Sequence, residues 1–437
     1  MTTGRGGRRL TATVTDLEVQ RQRAYLIGVA TSSAAGESAN RSLAELGRLT
    51  TTAGSDPVFS ELLVRSELEP ALLIGRGQAE RAVELSNTLD IDVVVFDNSL
   101  SPAQQRNLQN LFECDVVDRQ AVILDIFAQH ATSRAGMLQV ELALLQYYLP
   151  RLRGKGVQLS RQAGGIGTRG PGETKLETDR RRILQRIARL KRELKEVSAT
   201  RQTQRKARVR SELPLVALVG YTNAGKSTLL NQITNADVLV EDQLFSTLDS
   251  SVRRTELPGG TPALFSDTVG FIRDLPHQLV EAFQSTLDEV HNADLLLHVV
   301  DGSDPDADAQ IAAVRAVLGE IGAEQVPELF VINKRDQADS TAIDRLVAMH
   351  EGVAISARDG EGLPQLLEVI EHTLTSTDYR VSLEIPYDRG DLMALLHRSG
   401  AVLDESHTEA GTLVDARLRG DMAAQFADWT VKDEHSE

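Results

Sequence analysis

At 437 residues the chain has room for roughly three domains, and with 41% hydrophobic residues it can fill several packed cores. A lone cysteine, Cys114, for which a packed role is expected, excludes a disulfide framework and a multi-cysteine metal site, and no uninterrupted apolar run approaches transmembrane length, so no membrane partner is expected and the chain reads as cytoplasmic. The net charge of −16 is uneven: residues 151–210 carry 19 Lys or Arg against 5 Asp or Glu, a balance of +14, which leaves −30 for the rest.

Residues 1–23 hold Arg5, Arg8 and Arg9 with no apolar stretch behind them, and read as a disordered basic N-terminus. From 24 to 133, strand and helix patterns alternate. Tyr25–Ala30, Leu72–Ile74 and Val93–Phe96 predict strands. Asn40–Leu49, Gln78–Leu89 and Pro102–Leu111 predict helices, the last with Ser101 as N-cap and Pro102 in its first position. The region reads as an N-terminal α/β domain. Gly75-Arg76-Gly77 falls at a strand-to-helix turn where an anion fits, but the fuller dinucleotide fingerprint is missing and a tight turn accounts for it.

Residues 134–210 predict a helical hairpin. Leu138, Leu142, Leu145 and Leu149 repeat at coiled-coil spacing, as do Ile183, Ile187, Leu190, Leu194 and Val197. Two such helices bury each other's seams and turn their basic faces outward. The connection, from Pro150 to Gly172, is rich in glycine and holds Arg151, Arg153, Lys155, Arg161 and Arg169. So one-sided a charge is a footprint for nucleic acid, with a solvated helix as the plainer alternative. Arg153, Arg161 and Arg169 are the candidate RNA-binding residues, suited to phosphate pairing or base stacking.

Residues 211–375 carry the chemistry. The apolar run Leu215–Val219 reads as a buried strand; after it comes Gly220-Tyr221-Thr222-Asn223-Ala224-Gly225-Lys226-Ser227, a complete G-x-x-x-x-G-K-S loop, and Thr228 continues into a helix. The ligand class is a nucleoside di- or triphosphate, with Lys226 at the β- and γ-phosphates and Ser227 as a hydroxyl ligand of Mg²⁺. A strand Ala263–Ser266 runs into Asp267-Thr268-Val269-Gly270, placing a carboxylate near Mg²⁺ and the Gly270 N–H near the γ-phosphate. Thr247, in a polar stretch after the first helix, is the second hydroxyl ligand expected for the metal. Lys226, Thr247 and Gly270 thus form the expected catalytic set. A strand Leu329–Ile332 leads into Asn333-Lys334-Arg335-Asp336, whose carboxylate accepts the paired N1 and N2 donors of guanine that adenine lacks. A further strand, Val353–Ile355, leads to Ser356-Ala357, where a backbone N–H is expected to meet guanine O6. These motifs, in this order and each at a strand's carboxyl end, predict a P-loop GTPase domain.

Where Ras-type switches carry a water-orienting Gln after Asp-x-x-Gly, this chain has Phe271, which has no hydrogen-bonding group. Another residue, a cation or a bound partner must then orient the water, and slow hydrolysis by the isolated protein is expected. The alternative is that Phe271 anchors the following segment in a core, and the two readings are compatible. Residues 376–429 predict a small α+β domain with strands Arg380–Pro386 and Gly411–Leu418, a third at Val402–Ser406, and helices Asp388–Arg398 and Asp421–Trp429. Residues 430–437 read as a disordered tail. The fold class expected is therefore multidomain α/β.

Three segments carry a family resemblance: Gly220–Ser227, Asp267–Pro276, and Gly164–Arg182 with its Gly-Gly-Ile-Gly-Thr-Arg-Gly-Pro-Gly-Glu-Thr-Lys start. Together they resemble the HflX family of bacterial GTPases, over nearly the whole chain. The resemblance implies binding to the large ribosomal subunit and its RNA, with the arm near the peptidyl transferase centre, and a monomer is expected. It also implies GTP-dependent separation of stalled or idle ribosomes, with hydrolysis stimulated by the ribosome. Family members lacking the Gln carry a hydrophobic residue at the Phe271 position, and Asn223 stands where several such GTPases place an Asn that helps to bind K⁺. Two rivals are a maturation GTPase of the large subunit and an RNA-binding scaffold whose nucleotide site senses supply.

Overall fold

The computed structural model describes residues 13–15, 18–31, 36–152, 175–209, 213–234, 245, 252–273, 289–375, 379–399, 401–418 and 426–431. They fall into two compact units: residues 1–197 with 243–248 and 274–283, and residues 198–242, 249–273 and 284–437.

The first unit opens with a short antiparallel pair, β1 (Thr13–Thr15) and β2 (Glu18–Gln20). Its body is a parallel sheet in the order β4-β3-β5-β6, from β3 (Gln22–Ala30), β4 (Ser55–Val64), β5 (Val93–Phe96) and β6 (Asp115–Asp118). Crossover helices are α1 (Gly36–Thr52), α2 (Arg76–Thr88) and α3 (Pro102–Phe112), and α4 (Arg119–His130) follows β6. Helix α3 begins as its sequence predicts: Ser101 Oγ accepts from the Gln104 N–H at 3.2 Å and Gln104 Oε1 accepts from the Ser101 N–H at 2.9 Å, a reciprocal cap.

One expectation fails here. Leu72–Ile74 is no strand: Leu73 has φ 66° and pairs only with Glu69 across a turn. The edge strand is instead β4, whose Pro57, Ser60 and Glu61 mask its pattern. An edge tolerates Pro57, which needs no outer N–H partner, and the register with β3 slips beside it, from Ala24↔Pro57 to Tyr25↔Phe59.

At the carboxyl ends of these strands side chains close the sheet. Asn98 accepts from the Val29 N–H at 2.8 Å and donates to the Val29 carbonyl at 3.1 Å, bridging β5 to β3. The fully buried Arg119 guanidinium pairs with Glu45 and, at 2.8 Å, with Asp97, whose other oxygen accepts from Ser42 Oγ at 2.6 Å. Buried charges persist only when paired in this way.

Helix α5 (Arg134–Arg151) is tied to the same sheet. Asp118 accepts from the Leu100 and Ala121 N–H groups, from the Tyr147 hydroxyl at 2.8 Å and from Arg151 at 3.2 Å. Arg151, expected among the arginines of the connection, instead ends α5 with its guanidinium 3.6 Å over the Tyr147 ring and a 2.9 Å bond to the Leu100 carbonyl. The partner helix is α6 (Lys175–Val209). Leu138, Leu142 and Leu190 form a buried seam with Leu145, Ile187, Leu194 and Val197 around it. A two-pronged Arg186–Glu141 pair, 2.7 and 2.6 Å, fixes the antiparallel register.

The second unit contains a six-stranded sheet ordered β12-β11-β10-β7-β9-β8. Its strands are β7 (Leu215–Gly220), β8 (Val252–Glu256), β9 (Pro262–Asp267), β10 (Leu295–Asp301), β11 (Glu328–Asn333) and β12 (Val353–Ala354), all parallel except the edge strand β8. Helices α7 (Lys226–Thr234), α8 (Ala307–Glu320), α9 (Ser340–His350) and α10 (Leu363–Thr375) belong to it. Strands β7, β9, β10 and β11 contribute to one core with α7 and α10, including Val216, Leu218, Leu229, Phe265, Leu297, Val331 and Leu366. Chain reversal from β9 on one side of β7 to β10 on the other opens a crevice at the carboxyl end of β7, the usual ligand position in such sheets.

An antiparallel sheet in the order β13-β15-β14 closes the chain, with β13 (Tyr379–Pro386), β14 (Val402–His407) and β15 (Gly411–Leu418) packed on α11 (Gly390–Ser399). The helix expected over Asp421–Trp429 lies largely outside the described residues; its described end is a single 3₁₀ turn, Ala427–Trp429. Among the described residues no helix is long and apolar enough to cross a membrane.

Candidate functional site

The loop from Gly220 to Gly225 joins β7 to α7, so the helix N-terminus faces whatever the loop encloses. Three loop residues have positive φ: Gly220 at 151°, Gly225 at 98° and the exposed Asn223 at 60°, the last a left-handed conformation that asparagine tolerates better than most residues. A side chain on Gly225 would fall 2.2 Å from Asn333 Nδ2, so glycine is needed for the contact as well as for the turn. Ala224 is buried, and Thr228 stands half-buried in the first turn of α7.

Lys226 is buried, and its ammonium donates to the carbonyls of Gly220 at 3.1 Å and Tyr221 at 2.8 Å, which holds it across the loop. Burial pushes this ammonium down to about 8, with Asp267 pulling the other way. An anion in the loop would stabilise the positive charge that burial disfavours. Ser227 Oγ donates to Asp267 Oδ2 at 2.7 Å, and Thr268 Oγ donates to the Leu218 carbonyl at 2.6 Å, locking the end of β9 to β7. A hydroxyl and a carboxylate meeting at that distance are the hard oxygen donors that Mg²⁺ takes, so the residues present fit the metal.

The base-side motif converges on the same loop. Asn333 donates to the Ala224 carbonyl at 2.8 Å and accepts from the Ala357 N–H at 2.9 Å, so one side chain joins three segments. Lys334 pairs with Asp301, the last residue of β10, at 2.7 Å. Asp336 is exposed, and its Oδ1 accepts from Ser356 Oγ at 2.9 Å. Desolvation raises its carboxyl, but hydrogen bonds from Ser356 and Gln337 outweigh this and hold it below the usual carboxylate range, an ionised acceptor. The backbone N–H groups of Ser356 and Ala357, one of which is expected to meet guanine O6, are both engaged within the protein, Ser356 with the Glu361 carbonyl at 3.0 Å and Ala357 with Asn333.

Gly270 lies directly against the loop, since a side chain there would come 3.2 Å from Lys226 Nζ. Phe271 is 1% exposed, and its ring is packed into the interior. Phe271 therefore anchors the segment in the core, and its side chain carries no polar group. Thr247, Arg153, Arg161 and Arg169 lie outside the described residues. Sequence reasoning passed over Asp301, although the apolar run Leu295–Val300 before it was a clear strand signal, and it passed over the Tyr221 hydroxyl, for which loop spacing gives no signal.

The arrangement can thus hold a polyphosphate on a helix N-terminus, neutralise it with Lys226 and a metal, and grip a base through Asp336. Comparison with known proteins agrees. Residues 40–128 match the family described as GTP-binding GTPase N-terminal, residues 130–208 the GTP-binding GTPase middle region, and residues 215–334 the 50S ribosome-binding GTPase family. The chain is 44% identical over 412 residues to the GTPase HflX of Lacrimispora saccharolytica, covering 94% of this chain and 97% of that one. It is 43% identical over 374 residues to the GTPase HflX of Escherichia coli, covering 85% and 88%. Among solved structures, a GTP-binding protein from Sulfolobus solfataricus in complex with GDP aligns over 81% of this chain and 99% of that one, with 23% identity and a TM-score of 0.41.

Proposed function

The chain belongs to the HflX family of GTPases, and from that premise we propose that it binds the large ribosomal subunit and, when GTP-bound, separates stalled or idle ribosomes into subunits. It hydrolyses GTP to GDP and phosphate. The backbone N–H groups of Asn223–Thr228 cradle the phosphates, Lys226 places its ammonium between the β- and γ-phosphates, and the Gly270 N–H meets the γ-phosphate. Ser227, Asp267 and Thr247 would hold Mg²⁺, which would supply positive charge against the phosphate oxygens. The exposed Asn223 would help a K⁺ ion do the same. Asn333 and Lys334 brace the base pocket while Asp336 selects guanine, and Ser356 and Ala357 line it; the Ala357 N–H reaches O6 by sharing its bond to Asn333. With Phe271 buried, water is oriented from outside the position that bears Gln in Ras-type proteins, so turnover is slow alone and faster on the ribosome.

One observation carries the ribosomal half. Along α6, Arg180, Arg181, Arg182, Arg189, Lys191, Arg192 and Lys195 are exposed, whereas the apolar seam of the same helix is covered by α5. A packed helix that turns such a basic face to solvent suits a phosphate backbone, and the 50S ribosome-binding description of the family matched at 215–334 supports that partner. Arg153, Arg161 and Arg169, between the two helices, extend the same charge toward RNA. The protein acts as a cytoplasmic monomer. Sedimentation through sucrose with mature ribosomes, or with large-subunit precursors, tests the reading. Protein with a non-hydrolysable GTP analogue should travel with mature large subunits and far less with GDP; binding confined to precursors would overturn it.

A further inference from the structure

Tyr221, the second residue of the phosphate loop, is 6% exposed and makes contacts that the loop motif does not require. Its carbonyl accepts from Lys226 Nζ at 2.8 Å. Its backbone forms a parallel bridge with Phe271, flanked by bonds from the Thr222 N–H to the Phe271 carbonyl at 2.8 Å and from the Phe271 N–H to the Gly220 carbonyl at 3.1 Å. Its hydroxyl accepts from the Arg273 N–H at 2.9 Å. One residue therefore meets the phosphate lysine at one end and the Asp-Thr-Val-Gly-Phe-Ile-Arg segment at two points along the other.

The register explains why this matters. Strands β7 and β9 run in step up to Leu218↔Asp267, but the bridge beyond them is Tyr221↔Phe271, so one extra residue is taken up within Thr268–Gly270. That bulge folds Gly270 against the loop, where a side chain would sit 2.9 Å from Thr222 Cγ2. A bulge is held only if the chain is pinned on both sides. Thr268 is pinned at the near side by its bond to Leu218, and the Phe271 bridge and the Tyr221 hydroxyl pin the far side. We propose that the Tyr221 hydroxyl is a positioning group for hydrolysis, holding the Arg273 amide so that the Gly270 N–H stands at the distance the γ-phosphate needs. It thereby helps the site tell GTP from GDP, because only GTP presents an oxygen there.

The proposal rests on the assignment of Gly270 to the γ-phosphate, and the test separates the two. In the full-length protein, Tyr221→Phe removes one oxygen and keeps the buried ring. Single-turnover hydrolysis should slow roughly three- to tenfold, the worth of one hydrogen bond. Affinity for a non-hydrolysable GTP analogue should fall by a similar factor, while GDP affinity and the melting temperature stay as in the parent. An unchanged rate and unchanged GTP-over-GDP preference would overturn the role, and so would a parallel loss of GTP and GDP affinity with a lowered melting temperature. Gly270→Ala provides the second arm. If it leaves the GTP-over-GDP preference intact, the γ-phosphate assignment itself is wrong, whatever Tyr221→Phe does.

Discussion

The chain builds two sheets of similar plan, one parallel and one parallel but for its edge strand β8, and finishes their carboxyl ends in opposite ways. In the sheet of β3–β6, Asn98 bridges the two strands beside the reversal point and a buried Arg119–Glu45–Asp97 network fills the space next to it. In the sheet of β7–β12, the same place is lined with a glycine-containing loop, a helix N-terminus and Lys226 bonded only to carbonyls of its own loop among the contacts described. The first arrangement satisfies its charges from within. The second holds a positive charge whose burial is compensated when an anion arrives. Architecture alone thus decides little, and the side chains at the strand ends decide whether a sheet end is stabilising or receptive.

That contrast breaks most sharply at Arg119. Arg119→Met leaves the buried Glu45 and the partly buried Asp97 without their partner and should cost about 3–5 kcal/mol of stability, visible in urea denaturation, with GTP affinity of the folded fraction unchanged. A neutral result would mean the network is solvated rather than sealed. Lys226→Ala should do the reverse. Hydrolysis should drop by roughly 10²–10³ with a melting temperature at or above the parent's, since a buried charge has been removed; a fall in stability without a fall in rate would erase the distinction.

Asn98→Ala is a smaller probe of the closed end. It deprives the Val29 N–H and carbonyl of their partners and should destabilise by about 1–3 kcal/mol, again without touching nucleotide kinetics. The smallest effect is set by pH. His298 on β10 is buried, bonded to Glu328 at 2.6 Å and stacked at 4.9 Å on Phe330, which stacks in turn on His350. Burial pushes the His298 imidazole below its ordinary value, although Glu328 pulls it upward. A depressed folded value means its stabilisation is complete above about pH 6.5 and is lost as the pH falls from there through the folded value. The slope is at most about 1.4 kcal/mol per pH unit. The network around Arg119 contains no histidine, so mild acid should weaken the second unit first. Thermal melts between pH 7.5 and 5.5 read this directly, and His298→Leu should flatten the slope.

The two ends also differ in how far the sequence exposes them. The receptive end was legible because its chemistry is local: Gly220 to Ser227, Asp267 to Gly270 and Asn333 to Asp336 are short runs at strand ends, and the family resemblance they carried holds along the chain. The closed end was not. Arg119, Glu45, Asp97 and Asn98 come from separate elements and have no spacing in common. Arg151 looked like its neighbours in a basic stretch, and only folding brings it to Asp118, 33 positions away. β4 was hidden by Pro57 and by the polar residues an edge strand carries, while Leu72–Ile74 offered an apolar triplet that folding uses in a turn. The coiled-coil seam between α5 and α6, by contrast, was plain, because a repeat of four and three residues survives any context.

The most direct test of the account is light scattering of mature ribosomes mixed with the protein and GTP, a non-hydrolysable GTP analogue or GDP. The account predicts a fall in scattering with GTP and with the analogue, as subunits part, and little change with GDP. Equal dissociation in all three mixtures, or none with the analogue, would contradict the claim that the triphosphate-bound form does the work of separation.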